Sequence, residues 1–282
     1  MNTTTMQLGE LPEEFLTLVK SHFVPYTVAL ARVHRQQASS FTTLGTGTLI
    51  QKEDKIGILT AYHCTHACTP RLSIGPGGGD NLLLCVGRGR LIELPPEILF
   101  ETYTTQRTSD EYGPDLTFIE IFPSSQLETI RTNSLIWNMD KLTADQILTD
   151  FGSTETMLAA IGYPESQCKT DIQENNIHRK LHHMTYINVI NDGDISEKDG
   201  WDYLRSKYDY SESTGELPPT FQGLSGGAIW AMQCCKNRDS NQISIKKYCL
   251  VGVSFYETSK ENNIRYLRGH FIRSIYEKLW EC

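Results

Sequence analysis

Apolar and β-branched residues come along this chain in short runs, broken by Gly, Pro, Asn and Asp. Runs over 26–33, 43–50, 56–61, 82–86, 116–121, 156–161, 184–190, 227–232 and 248–255 predict strands, because a half-buried or buried strand needs only a few such residues between turn signals. They do not alternate with amphipathic helical stretches, which argues against a doubly wound α/β sheet and for a sandwich or barrels. Helices are expected at the two ends. Residues 11–23 carry apolar positions near helical spacing after Pro12-Glu13-Glu14, and 266–280 carries Leu267, Phe271, Ile275 and Leu279 at four-residue steps. Both stripes are expected to pack on the body of the protein; docking a partner is the other use of such a face.

Two stretches break the pattern. Residues 75–80 are glycine-rich but lack the Lys-Ser/Thr of a phosphate cradle, so a turn is expected. Residues 191–220 are long and polar, and read as a surface insertion beside the strongest motif.

Composition narrows the classes. The 282 residues suffice for one large or two small domains, and 39% hydrophobic with 21% charged residues is ordinary for a soluble globular chain. No run reaches the roughly 18 apolar residues of a membrane helix, so no membrane partner is expected. A net charge of −8 without a Lys/Arg strip makes nucleic acid an unsuitable partner. Residues 1–15 have neither a basic flank nor an apolar stretch, so no secretory signal is read there. With that reading, the eight cysteines are expected to be thiols in a reducing, cytoplasmic setting.

Three local blocks carry chemistry. In Gly223-Leu224-Ser225-Gly226-Gly227, the glycine before Ser225 lets the backbone turn its N–H inward. The N–H groups of Gly223 and Ser225 can then form an oxyanion hole for an attacked carbonyl. A serine hydroxyl also needs a base. Leu59-Thr60-Ala61-Tyr62-His63-Cys64 places a histidine at a strand end, where an imidazole of near-neutral pKa can take and return a proton. Gly113-Pro114-Asp115-Leu116 places an acid just before an apolar strand, part-buried and able to hold the second imidazole nitrogen. Each block alone is also read more simply: a turn, a satisfied histidine and a capping aspartate.

Together, in the order His63, Asp115, Ser225 with strand-rich sequence between, the blocks resemble the chymotrypsin/trypsin-like serine peptidase family over residues 26–275. Thr60-Ala61-Tyr62-His63-Cys64 is similar to that family's Thr-Ala-Ala-His-Cys, Asp115-Leu116-Thr117-Phe118-Ile119 to its Asp-Ile/Leu-Ala-Leu-Leu/Ile, and Gly223–Gly227 to its Gly-Asp-Ser-Gly-Gly. Gly45–Ile50, Ile161–Pro164 and Leu250–Ser254 resemble the strand before the histidine, the opening of the second barrel and the cleft strand.

The resemblance implies an all-β-dominated fold of two antiparallel six-stranded β-barrels with N- and C-terminal helices. Residues 1–130 would hold His63 and Asp115, and 131–282 would hold Ser225. It implies a serine endopeptidase that needs no metal or cofactor, acts on a protein or peptide, and answers to a regulatory protein partner. The overall look is similar to intracellular bacterial trypsin-like peptidases, some of which serve in antiphage defence. Thr220, Ser254, Phe255, Tyr256 and Glu257 would bind substrate, with Glu257 either favouring a basic side chain or simply standing exposed on a loop.

Two departures bear on regulation. Gly45 stands near the place of the cysteine that often bridges to the one after the histidine, so Cys64 is expected to remain a thiol. Leu224 replaces the aspartate that pairs with a freed N-terminal amine in zymogen-type members, so activation by cleavage is not expected.

Three other readings stay open. Ser225, Asp239 and His270 have the order of an α/β-hydrolase esterase, although the helices that fold needs are missing. The same barrels could serve as a catalytically silent binding module. His63, Cys64, His66 and Cys68, or Cys234, Cys235 and Cys249, are ligand types in close sequence, though at no common zinc spacing.

Overall fold

The computed structural model describes residues 13–33, 41–66, 80–87, 89–105, 113–151, 156–164, 169–173, 176–180, 184–189, 194–208, 223–236, 243–258 and 265–281. The first half supplies β1 (Thr27–Val33), β2 (Phe41–Lys52), β3 (Lys55–Thr60), β4 (Asn81–Val86), β5 (Arg90–Leu94), β6 (Leu99–Thr104), β7 (Thr117–Ile121) and the short β8 (Trp137–Asn138). They form one sheet in the order β5-β4-β1-β2-β3-β7-β6, antiparallel throughout except that β8 lies parallel to β2. Next come β9 (Met157–Gly162), the separate hairpin β10 (Lys169–Gln173) and β11 (Asn176–Lys180), then β12 (Met184–Val189), β13 (Ile195–Lys198), β14 (Trp201–Tyr208), β15 (Ala228–Lys236), β16 (Ile243–Glu257) and β17 (Arg265–His270). All but the hairpin form a second antiparallel sheet in the order β12-β9-β15-β16-β17-β14-β13.

The protein is therefore β-dominated with two large antiparallel sheets. The expected six-stranded closed barrels are not what the ladders make: each sheet is open. In the second, β12 at one end comes near β14 toward the other without pairing to it, so that sheet is strongly curled.

Alternation explains how the first sheet buries both faces. Along a strand, successive side chains point to opposite sides. Ile58 of β3 joins Val28, Leu30, Leu49, Leu84 and Ile119 in a core within the first sheet. Its neighbour Leu59 joins Ile50 and Phe118 in the larger core, shared with the second sheet. Each such side chain, fully buried, contributes about 1.5–3 kcal/mol.

The helices are α1 (Glu13–Phe23), the one-turn α2 (Tyr62–His66), α3 (Ser125–Asn133), α4 (Ala144–Phe151) and α5 (Ile272–Tyr276). None is long and apolar enough to cross a membrane. Helix α1 buries Phe15, Val19 and Phe23 at four-residue steps, as its pattern predicts. Phe23 stacks on Trp230 at 5.0 Å, and Tyr26 and Trp137 pack on the same indole at 5.0 and 5.3 Å. Trp230→Ala should therefore cost about 3–5 kcal/mol through lost burial and the cavity left behind, measured as a lower denaturant midpoint.

Helices are not confined to the ends as expected. Helices α3 and α4 connect the two sheets, and each starts on a side-chain cap. Ser124 accepts from the Leu127 N–H at 3.2 Å. Thr143 and Gln146 form a reciprocal capping box at 2.9 and 3.3 Å.

Two further expectations are corrected. The described part of 191–220 is not a polar surface insertion: it carries β13 and β14, and Trp201, Tyr203 and Leu204 are buried. Residues 266–280 are not one helix. They begin as β17, paired to β14 and β16, and turn helical only after Phe271. The four-residue spacing of Leu267 and Phe271 misleads because a strand of period two also places positions i and i+4 on one face.

Candidate active site

The first sheet presents His63 from α2, directly after β3. The turn closes through Cys64 N–H to Ala61 O at 3.0 Å, which points residue 63 back toward the chain entering β7. There Asp115, 2% exposed, takes His63 at two points. One carboxylate oxygen accepts the His63 main-chain N–H at 2.8 Å and the other meets Nδ1 at 2.6 Å. The next residue is pinned as well. Thr105 Oγ1 accepts the Leu116 N–H at 2.8 Å and donates to Leu116 O at 3.0 Å, so the acid sits on a fixed backbone.

The second sheet presents Ser225 from a turn before β15. Gly227 N–H donates to Leu224 O at 2.8 Å, Gly226 N–H to Ser254 O at 2.7 Å, and Ser254 N–H returns to Gly227 O at 2.9 Å. The Ser254 hydroxyl reaches Leu224 O at 2.8 Å and Gly227 O at 3.1 Å. Gly226 has φ +83° and no room for a side chain: a Cβ would lie 2.0 Å from Thr46 O. Leu224 is buried against Gly162, so the residue before the serine is anchored by burial where an aspartate would need an ion pair. Among the described residues, the N–H groups of Gly223 and Ser225 have no acceptor.

Thr46 of β2 joins the two sheets here. Its N–H donates to Ser225 O at 2.9 Å, its hydroxyl donates to Gly223 O at 2.7 Å and accepts the Tyr163 N–H at 2.9 Å. Thr60 Oγ1 donates to Thr46 O at 2.6 Å. Thr46→Val keeps the shape but removes the hydroxyl from a buried N–H and a part-buried carbonyl, so a loss of about 1–3 kcal/mol is expected in thermal unfolding.

Cys64 stands between the two halves of the site. Its sulfur lies 3.9 Å from His63 Nε2 and donates to Ser225 O at 3.3 Å. Gly45 is the neighbour of this thiol: a Cβ there would approach Sγ to 2.6 Å. Cys64, Cys85, Cys234, Cys235 and Cys249 are thiols that form no disulfide.

Among the described residues, then, His63 and Asp115 are joined directly, while both His63 Nε2 and the Ser225 main-chain oxygen approach the Cys64 sulfur. The Ser225 hydroxyl is directed at Phe255 O, 3.5 Å away, and makes no hydrogen bond to His63. Burial opposes a charge on His63, but the Cys64 sulfur and the Asp115 carboxylate outweigh it and raise the imidazole to about 10. Cys64 adds charge only as a thiolate, whereas the Asp115 hydrogen bond acts throughout.

Of the expected substrate-binding residues, Ser254 and Phe255 have buried side chains, and the main-chain N–H and C=O of Ser254 are engaged by the Ser225 turn. Tyr256 and Glu257 are half-buried, and Thr220 lies outside the described residues. The ladder between β15 and β16 ends at Val253, while that between β16 and β17 continues to Glu257 with a bulge at Phe255. Among the described residues, the β15 side of strand β16 therefore carries no ladder beyond Val253, next to Ser225.

Thr46, Thr105 and His270 belong to the site but carry no local chemical motif, and Thr60 lies in the His63 block without being singled out there. Only the Gly45-Thr46-Gly47 block, read for its strand, could have pointed to Thr46. For the esterase order, Asp239 lies outside the described residues, and His270 lies buried beneath Asp115 with Nε2 taken by the Asp115 N–H at 3.0 Å. For a metal, no three His, Cys, Asp or Glu side chains are grouped among the described residues, and His66 is engaged by Glu101 at 3.2 Å. Cys68 lies outside the described residues. No protein-family model matches the chain, and no curated protein is significantly similar to it.

Proposed function

We propose that this protein is a serine endopeptidase with Ser225 as nucleophile, His63 as base and then acid, and Asp115 as the group that orients His63. The observation that carries this reading is the two-point hold of Asp115 on His63, with the Ser225 turn docked on the adjacent Cys64. In the neutral imidazole, an acceptor at Nδ1 keeps a proton there and leaves the lone pair at Nε2, the nitrogen on the Cys64 side.

In the reaction, Ser225 Oγ bonds to the peptide carbonyl carbon as His63 Nε2 takes the hydroxyl proton. The carbonyl oxygen becomes an oxyanion and accepts from the Gly223 and Ser225 N–H groups. The intermediate collapses, the C–N bond breaks, and His63 gives the proton to the departing amine. Water then attacks the acyl-enzyme with His63 again as base. For this the Ser225 hydroxyl must leave Phe255 O; catalytic hydrogen bonds often form fully only with substrate bound. Substrate would add as a strand along β16 beside Ser225, while Ser254 holds the nucleophile turn.

The trypsin-like two-barrel organisation belongs to the same proposal, with 1–130 and 131–282 as halves of one unit. Its support is the curl of the second sheet and the meeting of both sheets at Thr46. Digestion of a peptide library tests the reading: internal cleavage by the wild type and none by Ser225→Ala is expected, and equal cleavage by both would refute it.

One observation favours a second reading, a silent binding module. The Ser225 hydroxyl is hydrogen-bonded to Phe255 O in place of His63. That reading expects tight peptide binding with no cleavage by the wild type.

A further inference from the structure

His270 ends β17 and is fully buried. Its ring lies among Phe255, Tyr203 and Trp201, with centroids 4.7, 5.2 and 5.4 Å away. An imidazolium there would lose its hydration. Burial accordingly pushes His270 down to about 3, with the charge of Asp115 opposing. The titratable groups against the ring are Asp115, from the chain leading into β7, and Tyr203, from β14.

A neutral imidazole has one donor and one acceptor nitrogen. The Asp115 main-chain N–H, 3.0 Å from Nε2, can only donate. Nε2 is therefore the acceptor and the proton is on Nδ1, which has no hydrogen-bond partner among the described residues. A buried N–H left in that state keeps its desolvation cost uncompensated. Phenylalanine would fill the same aromatic shell without the penalty. It could not accept the Asp115 N–H.

The contact also crosses between the sheets. Asp115 belongs to the first sheet, while His270 pairs with Val253 in the second, next to the Ser254 that holds the nucleophile turn. We propose that His270 is the positioning residue of the site: by fixing the Asp115 backbone from the opposite sheet, it sets the carboxylate to hold both the N–H and Nδ1 of His63. Its effect on catalysis rests on the peptidase reading above. Its effect on His63 does not.

The test compares wild type, His270→Phe and His270→Gln, whose Oε1 can accept the same N–H. Side-chain nitrogen NMR gives the tautomer of His270 and the titration of His63; peptide hydrolysis gives kcat and KM. In the wild type, His270 should stay neutral with its proton on Nδ1. His270→Phe should reduce the proton affinity of His63 at least 10-fold and lower kcat at least 10-fold with little change in KM. His270→Gln should recover most of both.

A wild-type His270 protonated on Nε2 would overturn the proposal whether or not a variant folds. So would an unchanged His63 titration in folded His270→Phe, or a His270→Gln no better than His270→Phe. If none of the three proteins hydrolyses peptide yet the His63 titration still falls in His270→Phe, the positioning stands and the peptidase reading is what fails.

Discussion

Ser225→Ala should lower kcat/KM for peptide hydrolysis on the order of 10⁴- to 10⁶-fold, with the melting temperature nearly unchanged. The fall is large because nucleophile and base act as a unit: without Oγ no acyl-enzyme forms, and only the oxyanion donors and binding remain. The fold should be indifferent because the hydroxyl makes one long contact, to Phe255 O at 3.5 Å, while the turn is held by backbone bonds and buried Leu224. His63→Ala should lose a similar factor in rate but also lose stability. It leaves one oxygen of a buried carboxylate without its 2.6 Å partner. Paired kinetic and unfolding measurements on the two variants check both halves of this prediction.

Asp115→Asn should cost about 10⁴-fold in kcat. The site asks residue 115 to accept twice from His63, once from the main-chain N–H and once from Nδ1. An amide offers one accepting oxygen. If that oxygen keeps the main-chain N–H, the NH₂ faces Nδ1, forces the proton onto Nε2 and points a donor where the base must be.

The pH dependence follows. His63 is raised from 6.5 to about 10, so its protonated form is favoured in the fold. That stabilisation is fully present below pH 6.5 and is lost as pH rises toward 10. The base form moves the other way, so kcat/KM should climb with an acidic limb well above 6.5. Asp115→Asn should bring the limb down, and Cys64→Ala should do so in part, since the sulfur also favours the imidazolium. A limb left in place by Asp115→Asn would contradict this assignment of cause.

Much of the site was legible because its chemistry is local. The blocks around His63, Asp115 and Ser225 each pair a reactive side chain with the turn or strand end that presents it. Strands with buried faces were legible for a similar reason: β1, β3 and β15 each contain a short, mostly apolar run. Strand β13 was not, because every side chain on it is exposed and no periodicity remains. Strand β14 was hidden by its polar residues. Asp202 and Ser206 are buried on it, and Asp202 accepts the Arg273 and Ser274 N–H groups at the start of α5 at 2.8 and 2.6 Å.

That role depends on a contact across some 70 residues, which composition cannot reveal. The capping box at Thr143 and Gln146 was present in the sequence and would have placed α4. His270 is the opposite case. Nothing beside it in the chain marks it, and its meaning comes from Asp115, 155 positions away.

The most direct measurement is the residue modified by a fluorophosphonate, mapped by mass spectrometry on the intact, folded protein. A single adduct on Ser225 is predicted, absent in Ser225→Ala and formed far more slowly in His63→Ala. Undiminished modification of Ser225→Ala, or an adduct confined to a different serine in the wild type, would contradict the assignment of Ser225, His63 and Asp115 as one catalytic unit.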